Sequence, residues 1–466
     1  PRSSLAEFFS APVSEIETAL IALEGEGFVL RGRFNPGAKE IEWCDRRLLA
    51  RIHRLTINRL RAEIKPVSIS EFQRFLLAWQ RIDEHHRAVG PEGLAAVLEL
   101  LDGYQLAAGA WEPEVLALRV KDYQPEWLDR LCFTGRIGWG RLALPQNQKA
   151  RSVGPIRSSP IGIFVRENIE SWLKLSPGNA DGDFSPDTLQ VLETLMENGA
   201  LFFGELMGKL RGIMPSRVEE ALAELAGQGW VTSDSFEGLR ALLLPQEKRV
   251  PFTGTDRRSR HKAVSSVEFA GRWTLLRSKA DANIGTIPTG SNGASTIVPT
   301  LDIESRDAAV EKFARVLLRR YGVVFRRILE REPLRISWYE LGRIYRRLEA
   351  KGEIRGGYFV GGISGEQFAL PEAISQLRAL RKEQSDGALI TISGADPLNL
   401  VGILTPGSRV SAIAPNRILL RDGVPIAALE AGQITKQNSE PGVTDREVER
   451  ALRVGTMAAP LRRYYS

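Results

Sequence analysis

One alternation recurs four times along the chain: apolar residues at helical spacing, then a glycine, then a short apolar strand. It reads Leu20-Ile21-Ala22-Leu23-Glu24-Gly25-Glu26-Gly27-Phe28-Val29, Leu128-Asp129-Arg130-Leu131-Cys132-Phe133-Thr134-Gly135-Arg136-Ile137, Leu222-Ala223-Glu224-Leu225-Ala226-Gly227-Gln228-Gly229-Trp230-Val231 and Ile344-Tyr345-Arg346-Arg347-Leu348-Glu349-Ala350-Lys351-Gly352-Glu353-Ile354. The change of period predicts a helix handing over directly to a strand, with a left-handed glycine at the junction. The last helix of a winged-helix module meets its wing in this way. Repetition of the unit predicts an array of small nucleic-acid-binding modules rather than one large enzyme domain.

The same pattern divides the chain. Residues 1–45 read as a partial winged helix, and 46–150 as a basic helical segment followed by a second winged helix. A connector is expected over 151–184, and a third winged helix over 185–245, opened by Ser185-Pro186-Asp187 as a helix start. Residues 246–304, rich in Gly, Ser, Thr and Pro, read as a flexible linker in which Gly271-Arg272-Trp273-Thr274-Leu275-Leu276 is a possible strand. A fourth winged helix is expected over 305–372. Five short apolar segments between turn residues then predict a small β-barrel over 386–431, with a tail helix in 432–466. The fold class is therefore α+β: tandem winged helices followed by a small barrel.

At 466 residues, three or more compact units are expected. There is no apolar run long enough for a membrane span and no signal peptide, and the chain opens on Pro1-Arg2-Ser3-Ser4 without Met. The expectation is a piece of a longer cytoplasmic protein, with no membrane partner. Two cysteines and four histidines offer neither a disulfide framework nor zinc spacing, so no metal and no cofactor is expected. The net charge of +6 is modest but uneven. Arg46, Arg47, Arg51, Arg54, Arg59 and Arg61 follow one another with no acid between them, as do Arg315, Arg319, Arg320, Arg326 and Arg327. Such blocks suit a polyphosphate, whereas a merely solvated helix face mixes its signs at i,i+4.

Other constellations are weighed against plainer readings. Asp83-Glu84-His85-His86 looks like a helicase DExH box, but it ends an amphipathic helix and the chain holds no GxxxxGK[ST] loop, so no ATPase is expected of it. His85 and His86 are adjacent and point apart, which suits solvent better than metal. Gln146-Asn147-Gln148 has the Gln-x-Gln form of some base-excision enzymes, although two glutamines so spaced are common by chance. Asp396, in Ser393-Gly394-Ala395-Asp396-Pro397-Leu398-Asn399-Leu400, could activate water or stabilise a cationic sugar, and is equally suited to turn chemistry. Most tryptophans fall on apolar faces. Trp139, between Gly138, Gly140 and Arg141, is expected on an exposed wing.

Several segments together resemble the carboxy-terminal half of the bacterial large helicase-related proteins. They are Trp43-Cys44-Asp45-Arg46-Arg47-Leu48-Leu49-Ala50-Arg51-Ile52-His53-Arg54, Arg74-Phe75-Leu76-Leu77-Ala78-Trp79-Gln80, Gly90-Pro91-Glu92-Gly93-Leu94, Arg320-Tyr321-Gly322-Val323-Val324-Phe325-Arg326-Arg327, Ser364-Gly365-Glu366-Gln367-Phe368-Ala369-Leu370-Pro371 and Ala395-Asp396-Pro397-Leu398-Asn399-Leu400. The resemblance implies an ATP-driven 3′-to-5′ helicase core in the parent chain, tandem winged helices fused to a barrel similar to the AlkZ-type DNA glycosylases, homo-oligomers and a role in DNA repair. Asp396 then matches the Pro-Phe-Asp element that opens the barrel of those glycosylases, where this chain has Gly-Ala-Asp.

The expectation is a DNA-binding and oligomerisation region that takes single-stranded or forked DNA on Arg46, Arg47, Arg51, Arg54, Arg59, Arg319, Arg320, Arg326, Arg327, Trp139 and Arg141. The alternative is a DNA glycosylase acting on a flipped uracil or alkylated base, with Asp396 as its carboxylate.

Overall fold

The computed structural model describes residues 1–62, 65–143, 156–176, 184–244, 267, 270–277, 303–383, 386–405, 407–437, 442–453 and 457–465, without the side chains of 57–62 and 303–305. The chain forms two compact units, Pro1–Lys65 and Pro66–Ser466. In the first, helices α1 (Arg2–Phe9) and α2 (Val13–Gly25) precede a hairpin of β1 (Val29–Gly32) and β2 (Glu42–Asp45), paired from Val29↔Asp45 to Gly32↔Glu42. The Glu42 carboxylate accepts from Phe34 N, Asn35 N and Asn35 Nδ2, at 2.8, 2.9 and 2.7 Å, and so closes the hairpin loop. Those bonds, that of the Asn35 side chain foremost, hold its pKa below the usual range. Asp45 Oδ1 accepts from Leu48 N at 2.8 Å, which starts the long helix α3 (Arg46–Ala62).

The second unit holds three winged helices of one topology. The first of them is preceded by α4 (Ile69–Trp79), opened by a capping box between Ser68 and Glu71, and by the two-residue strand β3 (Ala88–Val89). It comprises α5 (Gly90–Leu100), β4 (Gln105–Ala107), a π-helical turn over Trp111–Leu116, the short α6 (Ala117–Arg119) and β5 (Val120–Lys121), then α7 (Pro125–Phe133), β6 (Ile137–Gly140) and β7 (Pro160–Val165). Helix α8 (Ile169–Leu175) follows. The next module repeats the order as α9 (Pro186–Asn198), β8 (Leu201–Phe202), α10 (Phe203–Lys209), α11 (Pro215–Gln228), β9 (Val231–Ser233) and β10 (Arg272–Leu275), with α12 (Phe236–Leu243) inserted in the wing. The last repeats it as α13 (Ile303–Tyr321), β11 (Val323–Phe325), a 3₁₀ turn at Arg326–Arg331, α14 (Trp338–Ala350), β12 (Arg355–Gly357) and β13 (Gln367–Ala369), followed by α15 (Pro371–Leu380). In each three-stranded sheet the last strand lies between the other two.

The four repeats seen in the sequence are the junctions where α2, α7, α11 and α14 end. Gly27, Gly135, Gly229 and Gly352 take φ of 79°, 72°, 83° and 78°. Each N–H bonds back three residues, and the N–H of the next residue bonds back five, to Leu23, Leu131, Leu225 and Leu348. This Schellman closure satisfies the last carbonyls of the helix and turns the chain into the wing.

Three arginines are among the largest fully buried side chains of the chain, and each closes a joint in the second unit. Arg240 on α12 donates to Glu112 Oε2 at 2.7 Å, Glu112 Oε1 at 3.0 Å, Asp129 Oδ2 at 2.6 Å and Pro125 O at 3.0 Å. Tyr123 and Tyr465 hydroxyls complete Glu112, each at 2.7 Å, so the tail helix α17 (Arg462–Tyr465) is held at this joint. Arg320 on α13 pairs with Glu332 and reaches across to the carbonyls of Asp102 (2.6 Å) and Leu100 (3.2 Å). Arg119 pairs bidentately with Asp396 at 2.7 and 2.9 Å and donates to Gln80 Oε1 at 2.9 Å. Burial pushes the carboxyls of Asp102 and Asp129 above the usual range, while hydrogen bonds and the neighbouring guanidinium groups oppose it.

Among the described residues, the segment expected to close into a barrel forms an antiparallel sheet of four strands without closure: β14 (Leu389–Ser393), β15 (Arg417–Arg421), β16 (Val424–Glu430) and β17 (Gln433–Lys436). Two of the five predicted strands are absent, because residues 400–405 turn on themselves and 409–413 carry no ladder. The β17 strand instead comes from the expected tail, and α16 (Asp445–Arg453) packs its Val448 and Leu452 on the sheet. Within the expected connector, Pro160–Val165 is the central strand of a winged helix, and within the expected linker Arg272–Leu275 is another. In both cases the apolar run itself signals a strand, but its partners are remote in sequence, so the sheet it joins is not legible locally.

Two left-handed glycines separate strain from crowding. Gly352 has open space where a Cβ would stand, whereas a Cβ on Gly423, at the Asp422-Gly423 hairpin tip, would lie 2.1 Å from Ser70 O and 2.9 Å from Arg74 N. Gly352→Ala is expected to cost about 1 kcal/mol, the strain alone, and Gly423→Ala about 2–3 kcal/mol, because the sheet must also shift off α4. Urea unfolding midpoints of the two variants check the difference.

Candidate nucleic-acid interface

A winged helix meets DNA with its third helix and its wing, so the charge on those elements decides which modules can serve. Helix α2 carries Glu15, Glu17 and Glu24 and no base; α7 carries Glu126 and Asp129 against Arg130; α11 carries Glu219, Glu220 and Glu224 against Arg217. Only α14 is basic, with Arg343, Arg346 and Arg347 against Glu340 and Glu349. Whole modules follow the same division. Residues 305–370 hold fourteen Lys and Arg against eight Asp and Glu, whereas 185–244 hold four against nine.

Packing takes the α7 module out further. Asp129 on α7 is held by Arg240, and the wing strand β6 lies against β9 of the next module, with Thr232 Oγ1 donating to Trp139 O at 2.6 Å. Trp139 is fully buried rather than on an exposed wing: its indole N–H donates to Ser235 O at 3.0 Å and its ring meets Trp273 edge-on at 6.2 Å. The small glycine neighbours that suggested exposure make room for this packing. Arg141 is half-buried and donates to Gly227 O (2.6 Å) and Ala143 O (2.9 Å), bridging the same two modules. Arg320 is sealed with Glu332 in the core. The absence of acids between 315 and 327 did not carry into space, since Arg315 also pairs, with Glu311 at 2.9 Å and Glu353 at 2.6 Å.

The remaining predicted arginines lie at the surface. Arg326 and Arg327 open the 3₁₀ turn after β11, are exposed, and have no ion-pair partner among the described residues. Arg319 is exposed beside Trp79, whose indole N–H donates to its carbonyl at 2.7 Å, and it lines a 440 Å³ cavity that also receives Glu99, Glu372 and Glu383. In the first unit Arg46, Arg47, Arg51 and Arg54 are exposed along α3. The side chain of Arg59, and Gln146-Asn147-Gln148, lie outside the described residues.

Reasoning from long unopposed runs missed the arginines of α14, because Arg343, Arg346 and Arg347 form a short group flanked by Glu340 and Glu349. Arg343 pairs with Asp307 at 2.7 Å, Arg346 with Glu366 at 2.6 Å, and Arg347 with Glu311. These are half-exposed pairs, each worth about 0–1 kcal/mol, whereas a charge-assisted bond to a phosphate contributes about 1.5–3 kcal/mol. A phosphate therefore outcompetes them, and cannot reach Arg320. Two exposed tyrosines flank the same helix: Tyr339, 80% exposed at its start, and Tyr358, 61% exposed just past β12. Both sit on braced backbone. Ser337 and Glu340 form a capping box beside Tyr339, and Gln367 Oε1 accepts from Phe359 N and Val360 N, at 2.9 and 2.8 Å, beside Tyr358.

Asp396 is fully buried. Besides Arg119, its carboxylate accepts Leu398 N at 2.9 Å, while Arg331 donates to the carbonyls of Gly394, Ala395 and Asp396 at 3.1, 2.9 and 2.7 Å. This carboxylate anchors the sheet to the α7 module and touches no open space, which corrects the expectation that it meets substrate. Among the described residues no three His, Cys, Asp or Glu side chains are grouped to hold a metal, and no helix is long and apolar enough to cross a membrane.

Two of the three winged helices of the second unit match models of a family of known architecture. Residues 67–157 and 304–389 match models described as winged-helix domains of large helicase-related protein. Over these two segments the chain is similar to the large helicase-related family. It is 29% identical over 440 residues to a protein of Mycolicibacterium smegmatis named Lhr helicase/probable uracil glycosylase, covering 91% of this chain and 27% of that one. It is 26% identical over 438 residues to the Escherichia coli protein named Lhr helicase/uracil glycosylase, covering 86% and 26%. The chain thus spans about a quarter of the length of the curated relatives it matches, as a carboxy-terminal region.

If Asp396 is an anchor, Asp396→Asn leaves Arg119 buried without its counter-charge and is expected to destabilise the second unit by about 3–5 kcal/mol. A chemical unfolding curve checks it, and a variant with an unchanged midpoint would show that the pair does not anchor the sheet.

Proposed function

We propose that this chain is the DNA-binding region of a helicase-related repair protein, and that it takes single-stranded or forked DNA chiefly on the α14 module. The observation that carries the reading is the division of charge: a module with an excess of arginine and one with an excess of carboxylates belong to the same unit. A uniform polyanion is attracted to the first and repelled by the second. Helix α3, with its exposed Arg46, Arg47, Arg51 and Arg54, is the second basic surface. An ATP-driven motor in the parent chain would move the strand that these surfaces hold. Self-association belongs to the same proposal, and light scattering with and without DNA tests it.

A second reading is favoured by the names of the two relatives, both of which include uracil glycosylase, and by their alignment with most of this chain. On this reading the chain removes uracil or an alkylated base from DNA. Incubation with lesion-bearing oligonucleotides, followed by alkali, shows strand breaks if it does and intact strands if it does not.

For DNA binding, the paired change Arg326→Ala and Arg327→Ala is expected to weaken affinity for a labelled single strand. It should also reduce the slope of log K against log salt by about 1.4, at roughly 0.7 per lost phosphate contact. Glu220→Gln on α11 is expected to leave the slope unchanged. Fluorescence anisotropy over a salt series measures both; a slope unaltered by the arginine changes would place the phosphates elsewhere.

A further inference from the structure

The chain has eight tyrosines, and six of them are buried: Tyr104, Tyr123, Tyr321, Tyr345, Tyr464 and Tyr465. None of the nine tryptophans is exposed. The remaining tyrosines, Tyr339 and Tyr358, both stand in water, and both belong to the basic module of α14. A single exposed apolar side chain is ordinary. What sets these two apart is where they stand. Among the described residues of the second unit the exposed phenyl rings are Phe133 and Phe202, on the α7 and α11 modules, whose third helices are acidic.

Tyr339 is the second residue of α14, and the first residues of a recognition helix are those that approach bases. Four and seven residues on, Arg343 and Arg346 fall on the same face. The hydrogen bond to Glu366 raises the Arg346 pKa most, and the nearby Tyr339 phenol adds to the rise. The helix start itself does not need the ring, since the positions of a hydrophobic staple are Ile336 and Leu341, both buried. Tyr358 follows β12. Gly357 pairs with Gln367, so Tyr358 and Glu366, the acid that holds Arg346, are neighbours across the end of the ladder. Beyond it Phe359 and Val360 are buried, and Val67 fixes their backbone: Val67 N donates to Phe359 O and Gly361 N donates to Val67 O, each at 2.8 Å. Both rings are thus held out into water on fixed backbone, with the Arg346–Glu366 pair close to each.

We propose that Tyr339 and Tyr358 stack on unpaired bases of the strand whose phosphates the neighbouring arginines hold, and that these two rings make the module select single-stranded over duplex DNA. This rests on the DNA-binding reading and names the side chains that choose the form of DNA. Every base has a π face, which a duplex covers with the next base pair and an unpaired strand uncovers. Arginines alone cannot make the distinction, because a duplex carries the same phosphates more densely. A tyrosine offers a large flat contact for only two rotatable bonds, so stacking on a fixed backbone costs little freedom. The ring meets the face of a base rather than its edge, and no sequence preference follows. A proline-rich peptide also docks on aromatic rings, but carries no negative charge for Arg343 and Arg346 to meet.

The test uses the whole chain and fluorescence anisotropy with three labelled probes: a single strand, the blunt duplex of the same sequence, and a strand of abasic spacers that keeps the phosphates and lacks the bases. Tyr339→Ala and Tyr358→Ala are each expected to weaken single-strand binding at least about fivefold. The slope of log K against log salt should stay as it is, because no phosphate contact is lost. Duplex and abasic strand should bind the alanine variants as they bind the unsubstituted chain. Tyr339→Phe and Tyr358→Phe, which keep the rings, should restore single-strand affinity, and urea midpoints should not move, since both side chains are exposed. Alanine variants that hold the single strand as tightly as the unsubstituted chain, or that weaken all three probes alike, overturn the proposal and leave the DNA-binding reading standing. So does a loss that the phenylalanine variants reproduce. A chain that binds none of the probes at low salt overturns that reading and the proposal with it.

Discussion

The second unit depends on guanidinium groups buried at its joints. An arginine has five N–H donors in a rigid plane, and away from water each needs an acceptor in a fixed direction. Arg240 finds them on Glu112, Asp129 and Pro125, Arg320 on Glu332 and the carbonyls of Leu100 and Asp102, and Arg119, all but its Nε, on Asp396, Gln80 and Val115. Apolar contact between modules could slide by an ångström at little cost. Sliding at this joint would instead strip Arg320 of the carbonyls of Leu100 and Asp102 and leave buried guanidinium N–H groups unpaired, at a cost of several kcal/mol. The joints therefore have one register, and three small folds that occur elsewhere as separate domains are held as one body.

That rigidity sorts the modules by task. The module around α7 gives its wing strand and part of its third helix to its neighbour, through Trp139, Asp129 and Arg141, so its DNA-facing elements are partly spent on packing. The α11 module presents Glu219, Glu220 and Glu224 where a DNA reader presents bases. What remains is the α14 module, with Arg326, Arg327, Arg343, Arg346 and two exposed tyrosines on a braced backbone. Repulsion from the acidic module narrows the orientations a strand can take on the basic one.

Much of this was legible in the sequence, and the parts that were not share one cause. The four helix-to-wing junctions were visible because a left-handed glycine after Leu23, Leu131, Leu225 or Leu348 is a local requirement of the backbone. The central strands Pro160–Val165 and Arg272–Leu275 were visible as apolar runs but were placed in a connector and a linker, because what assigns them to a winged helix is pairing with residues far away. No closed barrel is found among the described residues, for a related reason. Alternation and turns predict strands, but closure is decided by whether the last strand reaches the first, and here α16 covers the sheet instead. Arginine counting picked out Arg326 and Arg327, which are exposed, and was misled at Arg320, since a run without acids says nothing about Glu332 folding back from a later turn. Asp396 and Trp139 were the clearest errors of kind. Each has the composition of a functional residue, and burial decides otherwise.

The measurement that bears most directly on the division of labour is hydrogen exchange of the whole chain with and without a single-stranded oligonucleotide. Slowed exchange confined in the second unit to residues 326–358, with 215–228 unchanged, is the expected result. Protection of α11 with none on α14 would contradict it, because it would put the phosphates on carboxylates.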